Sequence, residues 1–157
     1  MAFKCHAKIF LALICFAWAC QPAWADNTPV GWWLDHTGKA GIEILRCGGS
    51  LCGKIEWLRV PLDSTGKPKT DSRNPDVALR GRTLCGLSVL GGFVSDGKGG
   101  WRGGWIYDPE NGKTYHCIMY MATDGTLHVR GYVGIPLLGR SEVWTRPAMA
   151  LAPCAGG

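Results

Sequence analysis

From Val30 onward the chain is a succession of short runs rich in β-forming residues, each cut off by Gly, Asn, Asp or Pro. Runs of this kind read as strands at Val30–Leu34, Gly41–Cys47, Cys52–Val60, Thr83–Val94, Trp101–Asp108, Lys113–Ala122, Thr126–Val133 and Arg140–Arg146. Regular spacing with tight links argues for an all-β chain closed as an antiparallel barrel or stacked as a sandwich. The 23 glycines among 157 residues fit the same reading, since glycine normally makes up about 7% of a chain. A helical bundle is disfavoured, and one domain is the natural expectation at this length.

The one long connection is 61–82. Within it Asn74 and Pro75 suit the N-cap and first position of a helix, and Gly81 suits its C-terminal stop, so a short helix is expected from Pro75 to Arg80. After Arg146 the chain is mostly Ala, Pro and Gly, and 147–157 reads as a flexible tail.

Residues 1–25 have the pattern of a cleaved export signal: Lys4 and Lys8, an apolar run Ile9–Ala19, and the small-x-small site Ala23-Trp24-Ala25. A barrel domain over 26–146 follows, in the periplasm or secreted, with no transmembrane segment after cleavage. Cys20 is poorly placed for a lipoprotein site. Loss of Lys4 and Lys8 lowers the formal charge of +5 by two, and the remaining cations are spread along the chain. Nucleic-acid binding, which leaves a concentrated basic stripe, is not expected.

Export also decides the cysteine chemistry. Cys47, Cys52, Cys85, Cys117 and Cys154 remain, and an oxidising compartment favours pairing. Five is odd, so one thiol stays free or joins two copies, which leaves a monomer or a disulfide dimer open. A turn at Gly49-Ser50 sets Cys47 opposite Cys52, close enough for a disulfide. Cys85 and Cys117 both fall in expected strands, which suggests them as the second pair.

That first hairpin puts Ile42 and Ile44 with Ile55 and Trp57 on an apolar face. The other face sets Glu43 against Glu56, which reads as solvated wall. A two-residue turn at Asp124-Gly125, with a four-residue loop 109–112, sorts the second half into two faces. One carries Trp101, Trp105, Tyr107, His116, Ile118, Tyr120, Leu127, Val129 and Val133. The other carries Arg102, Ile106, Cys117, Met119, Met121, His128, Arg130 and Tyr132. The first lacks formal charge and is expected to point inward.

No metal site is expected, because His116 and His128 fall on opposite faces and zinc needs three or four converging ligands. Catalytic signatures are missing as well: Gly86-Leu87-Ser88 lacks the second glycine of a nucleophile elbow. Neither a catalytic residue nor a cofactor is assigned.

Several long motifs resemble those of the domain of unknown function 2147 family. They are Ile55-x-Trp57, Asp71-x-x-Asn74-Pro75-Asp76, Gly104-Trp105-Ile106-Tyr107-Asp108-Pro109, Asn111-Gly112-Lys113-x-Tyr115, Val129-Arg130-Gly131-Tyr132-Val133, Leu138-Gly139-Arg140 and Trp144-x-Arg146. The resemblance implies a small exported bacterial protein with an eight-stranded lipocalin-like barrel, and no particular activity. Gly31-x-Trp33 is similar to the opening of lipocalin-type barrels, in which a late Arg stacks on the Trp. Arg146 stands at the matching place, so Trp33 and Arg146 are read as the barrel closure. Arg130-x-Tyr132 resembles the pair that holds a carboxylate in intracellular fatty-acid-binding barrels and is the alternative anion site.

Two functions follow as expectations. The first is binding of a small amphipathic or aromatic molecule in the barrel, with Trp105, Tyr107, His116 and Tyr120 as candidate contacts. The second is a structural or interaction protein of the cell envelope with a filled barrel, docking through Met119, Met121 and Tyr132. A small hydrolase-type enzyme ranks third.

Overall fold

The computed structural model describes residues 28–154; the expected signal segment, with Cys20, lies outside the described residues. Eight strands follow one another in a single antiparallel meander. They are β1 (Gly31–Leu34), β2 (Ala40–Cys47), β3 (Ser50–Leu58), β4 (Ser88–Ser95), β5 (Gly100–Asp108), β6 (Lys113–Met121), β7 (Leu127–Tyr132) and β8 (Arg140–Trp144). Just beyond β8, Thr145 exchanges both backbone hydrogen bonds with Leu34 of β1, at 2.8 and 3.1 Å. The meander thus returns on itself as a nearly closed barrel, which removes the exposed edges an open sheet would leave.

Closure is reinforced by side chains. Trp33 is fully buried and donates its indole N–H to the Pro29 carbonyl at 2.7 Å. The Arg146 guanidinium lies 3.9 Å from the centre of the Trp33 ring and donates to the carbonyls of Thr28 and Trp32. The guanidinium therefore ties the segment before β1 to the end of β8.

The β2–β3 turn is Gly48-Gly49 rather than Gly49-Ser50, because Cys47 pairs with Ser50. The pairing moves by two residues, so faces are kept and partners change. Ile42, Ile44 and Ile55 are buried as expected. Glu43 lies opposite Lys54 instead of Glu56, and Lys54 pairs with Glu56 at 3.0 Å, so the two carboxylates are not apposed. Cys47 and Cys52 become diagonal neighbours and form a disulfide across 5.9 Å between Cα atoms.

The β6–β7 turn departs by one residue, and the consequence is larger. Ala122 and Thr126 close a three-residue loop in which Gly125 takes φ +81°, the left-handed position such loops require. A one-residue shift turns a strand over. Cys117 and Met119 therefore point into the barrel, 0% and 1% exposed, beside Leu127 and Val129. His116 and Tyr120, expected inside, are on the outer wall, and Val133, expected inside as well, is exposed just beyond β7. Because β5 pairs with β6 in the expected register from Gly104 to Asp108, Trp105 and Tyr107 also face outward. A bulge before Gly104 lets Trp101 pair with Met119 and pack against the core.

The interior is filled by side chains from around the barrel, among them Trp33, Ile44, Leu90, Phe93, Met119 and Trp144. Each such burial contributes about 1.5–3 kcal/mol.

Three further expectations are corrected. The second disulfide is Cys85–Cys154, not Cys85–Cys117. Cys117 is the free thiol among the described residues; its inward position keeps it from both Cys85 and a second copy, and burial pushes its pKa up to about 12. The Pro75–Arg80 helix is a single 3₁₀ turn, Val77–Leu79, capped by Asp76 rather than Asn74. Asn74 is buried and committed elsewhere. Lastly, the described part of the segment after Arg146, 147–154, is held to the wall: Leu151 packs against Gly41, the Cys154 amide donates to the Glu56 carbonyl at 2.6 Å, and Cys154 is bridged to Cys85.

Candidate functional site

The long connection between β3 and β4 lies against the outer wall, and one buried carboxylate anchors it. Asp71 is 0% exposed. It accepts from the Tyr107 hydroxyl at 2.6 Å, from Asn74 Nδ2 at 2.7 Å and from Arg82 Nη2 at 2.8 Å. Asn74 also donates to the Tyr107 oxygen at 3.1 Å, and its carbonyl oxygen accepts from the Asp76 amide. Burial alone would raise the Asp71 pKa, but the three donors outweigh it and hold the carboxyl below its usual range. Tyr107 is pushed up by burial and by the carboxylate it faces. A buried charge is tolerated only when paired and fully bonded, and this one is. Asp71, Asn74 and Tyr107 belong to two of the motifs picked out in the sequence, and with Arg82 they fasten the connection to β5.

Beside this anchor stands Trp105. It pairs with Gly91 of β4, and its ring lies flat over that glycine: a Cβ there would come within 3.0–3.2 Å of three indole atoms. The glycine allows the ring to settle on the wall with one face inward and 38% of the residue still exposed. Trp105, Tyr107, Thr114, Ser88, Asn74, Pro75 and Arg82 line an open cleft of about 320 Å³. A second cleft of about 750 Å³, lined by Lys54, Glu56, Leu87, Thr83 and the Cys85–Cys154 bridge, shares Arg82 and Ser88 with the first. The two form one groove under the connection, with Arg82 at their junction.

Arg82 is the most chemically pointed group in this groove. Its side chain is 42% exposed while Asp71 fixes one nitrogen of the guanidinium. A guanidinium oriented by a buried carboxylate, with donors left over, suits a carboxylate or phosphate. Trp105 offers an aromatic face, and Ser88 and Thr114 offer hydroxyls.

The expected ligand contacts are only partly assembled. Trp105 and Tyr107 meet at the cleft, though on the outer wall rather than in the lumen, and Tyr107 spends its hydroxyl on Asp71. His116 pairs laterally with Trp105 and sits 5.7 Å from the Tyr132 ring, outside the cleft. Tyr120 is farther along β6, stacked on His128 at 4.7 Å with a 3.0 Å hydroxyl–Nδ1 bond. Of the expected docking patch, Met119 and Met121 face the core and only Tyr132 is on the wall. Arg130, the alternative anion anchor, has its guanidinium occupied by the carbonyls of Pro136 and Leu137 and by the Ser141 hydroxyl. It braces the β7–β8 loop, so the Arg130–Tyr132 anion site is not formed. Arg82, Ser88 and Thr114 carry no sequence signal as groove residues, because no local motif links three residues that only the fold gathers.

No group of three or more His, Cys, Asp or Glu side chains converges as a metal site among the described residues. No described helix is long and apolar enough to cross a membrane.

With this geometry in hand, three comparisons bear on the chain. A family model described as "Uncharacterized protein conserved in bacteria (DUF2147)" matches residues 31–146. Among curated proteins none matches. A solved structure, protein HP1028 from the human pathogen Helicobacter pylori, described as belonging to the lipocalin family, is similar at TM-score 0.59 and 25% identity, covering 69% of this chain and 73% of that one.

Proposed function

The chain belongs to the DUF2147 family, and we propose that it is an exported binding protein whose ligand site is on the outer wall of a filled lipocalin-like barrel. The observation that carries this reading is the groove under the connection, where Trp105 lies flat over Gly91 and Arg82 is fixed by buried Asp71. A cleft of a few hundred Å³ with one aromatic face and a few convergent polar groups is what small-molecule sites present. The ligand class that fits is a cyclic or aromatic molecule carrying a carboxylate or phosphate: the ring stacks on Trp105 and the anion meets Arg82. Two disulfides are in keeping with an oxidising compartment, which supports export.

The test is a panel of aromatic and alicyclic carboxylates screened by thermal shift and by ¹H–¹⁵N NMR. Hits are expected to move the Trp105 indole and the Ser88 and Thr114 amides, and Trp105→Ala should weaken them about tenfold. Hits that bind the Trp105→Ala variant unchanged would contradict the reading, as would a panel with none.

The filled lumen also favours the second expectation, an interaction protein that works through its surface. Crosslinking that recovers one specific protein through the outer wall would favour this reading over the first.

A further inference from the structure

In an up-and-down barrel alternate connections gather at one end. Here β1–β2, β3–β4, β5–β6 and β7–β8 share an end, and contacts knit it together: Arg59 donates to the Gly38 carbonyl, Gly112 abuts Arg73, and His36 meets Glu142. Exposed apolar side chains concentrate here. In the β7–β8 loop alone Val133, Ile135, Leu137 and Leu138 are 71%, 55%, 81% and 78% exposed. Val60, Leu62 and Val77, at the same end, are exposed as well. Four apolar residues at one loop tip are not the scattered surface hydrophobics every protein carries.

The backbone of this loop makes the exposure specific. Pro136–Leu138 form a 3₁₀ turn, with Leu138 donating to Ile135 and Gly139 to Pro136. Arg130 then reaches across to the Pro136 carbonyl at 2.6 Å and the Leu137 carbonyl at 3.0 Å. The carbonyls of Ile135, Pro136 and Leu137 are thus all bonded inside the protein while the side chains point out. A loop entering hydrocarbon must satisfy its own backbone, because lipid tails offer no partners.

Charge points the same way. Between Asp124 and Glu142 the chain has no acid but carries Arg130 and Arg140, so the tip is flanked by cations. The neighbouring connections are balanced, with Lys67, Lys69, Arg73 and Arg80 against Asp35, Asp63, Asp76 and Glu110, so the cationic bias belongs to the β7–β8 loop itself. An apolar tip flanked by Arg130 and Arg140 complements an anionic lipid surface, where apolar insertion and headgroup attraction add.

We propose that this end of the barrel docks on anionic bilayers, with Val133, Ile135, Leu137 and Leu138 entering the headgroup–acyl boundary. The site is separate from the Trp105 groove.

The experiment is co-sedimentation of residues 26–157 with vesicles of phosphatidylcholine alone and of phosphatidylcholine with phosphatidylglycerol. Binding is expected on the anionic vesicles, weakening as salt rises. Leu137→Glu with Leu138→Glu should reduce it at least about tenfold, and Arg140→Glu should reduce its salt dependence. Both leucines are exposed, so unfolding midpoints should hold; Val133→Ser with Ile135→Ser serves as a second variant of the same tip. Trp105→Ala should bind vesicles normally, which separates this proposal from the groove reading. Absence of binding to anionic vesicles would overturn it, as would binding that both tip variants leave intact. A dimer on size exclusion that the tip variants dissolve, without vesicle binding, would instead assign the tip to a second copy.

Discussion

Trp33 with Arg146 and Asp71 with Arg82 are the two arginine contacts on which the barrel most depends, and they respond to different perturbations. Arg146 stacks on a buried ring and closes two carbonyls. Arg146→Ala should cost about 1–3 kcal/mol, from the stacking and the lost hydrogen bonds together. Arg146→Lys should recover only part of it, because an ammonium lacks the planar fork. Urea unfolding of the three proteins measures both. The Asp71 carboxyl is held below its usual range in the folded state, so its contribution is full above the unfolded-state pKa near 3.9 and is lost as pH falls through the folded value. Asp71→Asn should therefore destabilise the protein by about 2–4 kcal/mol at neutral pH and flatten the loss of stability below about pH 4. Chemical unfolding from pH 7 to pH 2 tests the sign. A flat difference across that range would show that the carboxylate charge is unimportant. Cys117, buried and with its pKa pushed up to about 12, should resist thiol reagents in the native protein and react once it is unfolded.

At the scale of elements, the connection and the two disulfides can be separated experimentally. Gly112 takes φ +71°, and a Cβ there would meet the Arg73 carbonyl oxygen, so no side chain fits. Gly112→Ala should lift the connection from the β5–β6 turn and speed proteolysis within 61–82, at a cost above the roughly 1–2 kcal/mol of a left-handed residue. The disulfides should differ because one spans 69 residues and the other 5. Loop-closure entropy gives about 4 kcal/mol for Cys85–Cys154 against about 2 for Cys47–Cys52. Cys154→Ser should consequently lower the melting temperature more than Cys47→Ser, and calorimetry decides it.

Elements also show where reading a chain stops being sufficient. All eight strands were legible because β-rich runs and turn residues are local signals. The Cys47–Cys52 bridge was legible because a shift of two residues preserves faces. Inside and outside on β5 and β6 were not, because Asp124-Gly125 fits both a two-residue turn and the last positions of a three-residue loop, and one residue turns a strand over. With the two-residue turn His116 and Tyr120 would face the lumen and Met119 the wall. Cys85–Cys154 was hidden for a different reason: an Ala-Pro-Gly tail carries no local sign that it returns to the wall. Trp105 and Tyr107 were named from the sequence, whereas Arg82, Ser88 and Thr114 join them only through long-range packing.

For the molecule as a whole, the interior is packed with side chains and the clefts lie on the outer wall. The lumen holds Ile44, Leu90, Phe93 and Leu127, each 1% exposed or less, and the groove under the connection and the apolar β7–β8 tip lie outside it. The family and the lipocalin-like neighbour fix the architecture, and neither carries a ligand to this chain. The direct measurement is an NMR map of where small molecules bind, using backbone, indole and methyl labels on the folded protein and the carboxylate panel described above. Shifts are expected at the Trp105 indole, Ser88 and Thr114, with the methyls of Ile44, Leu90 and Leu127 unmoved. Shifts confined to those interior methyls would contradict the groove reading and return the ligand to the lumen.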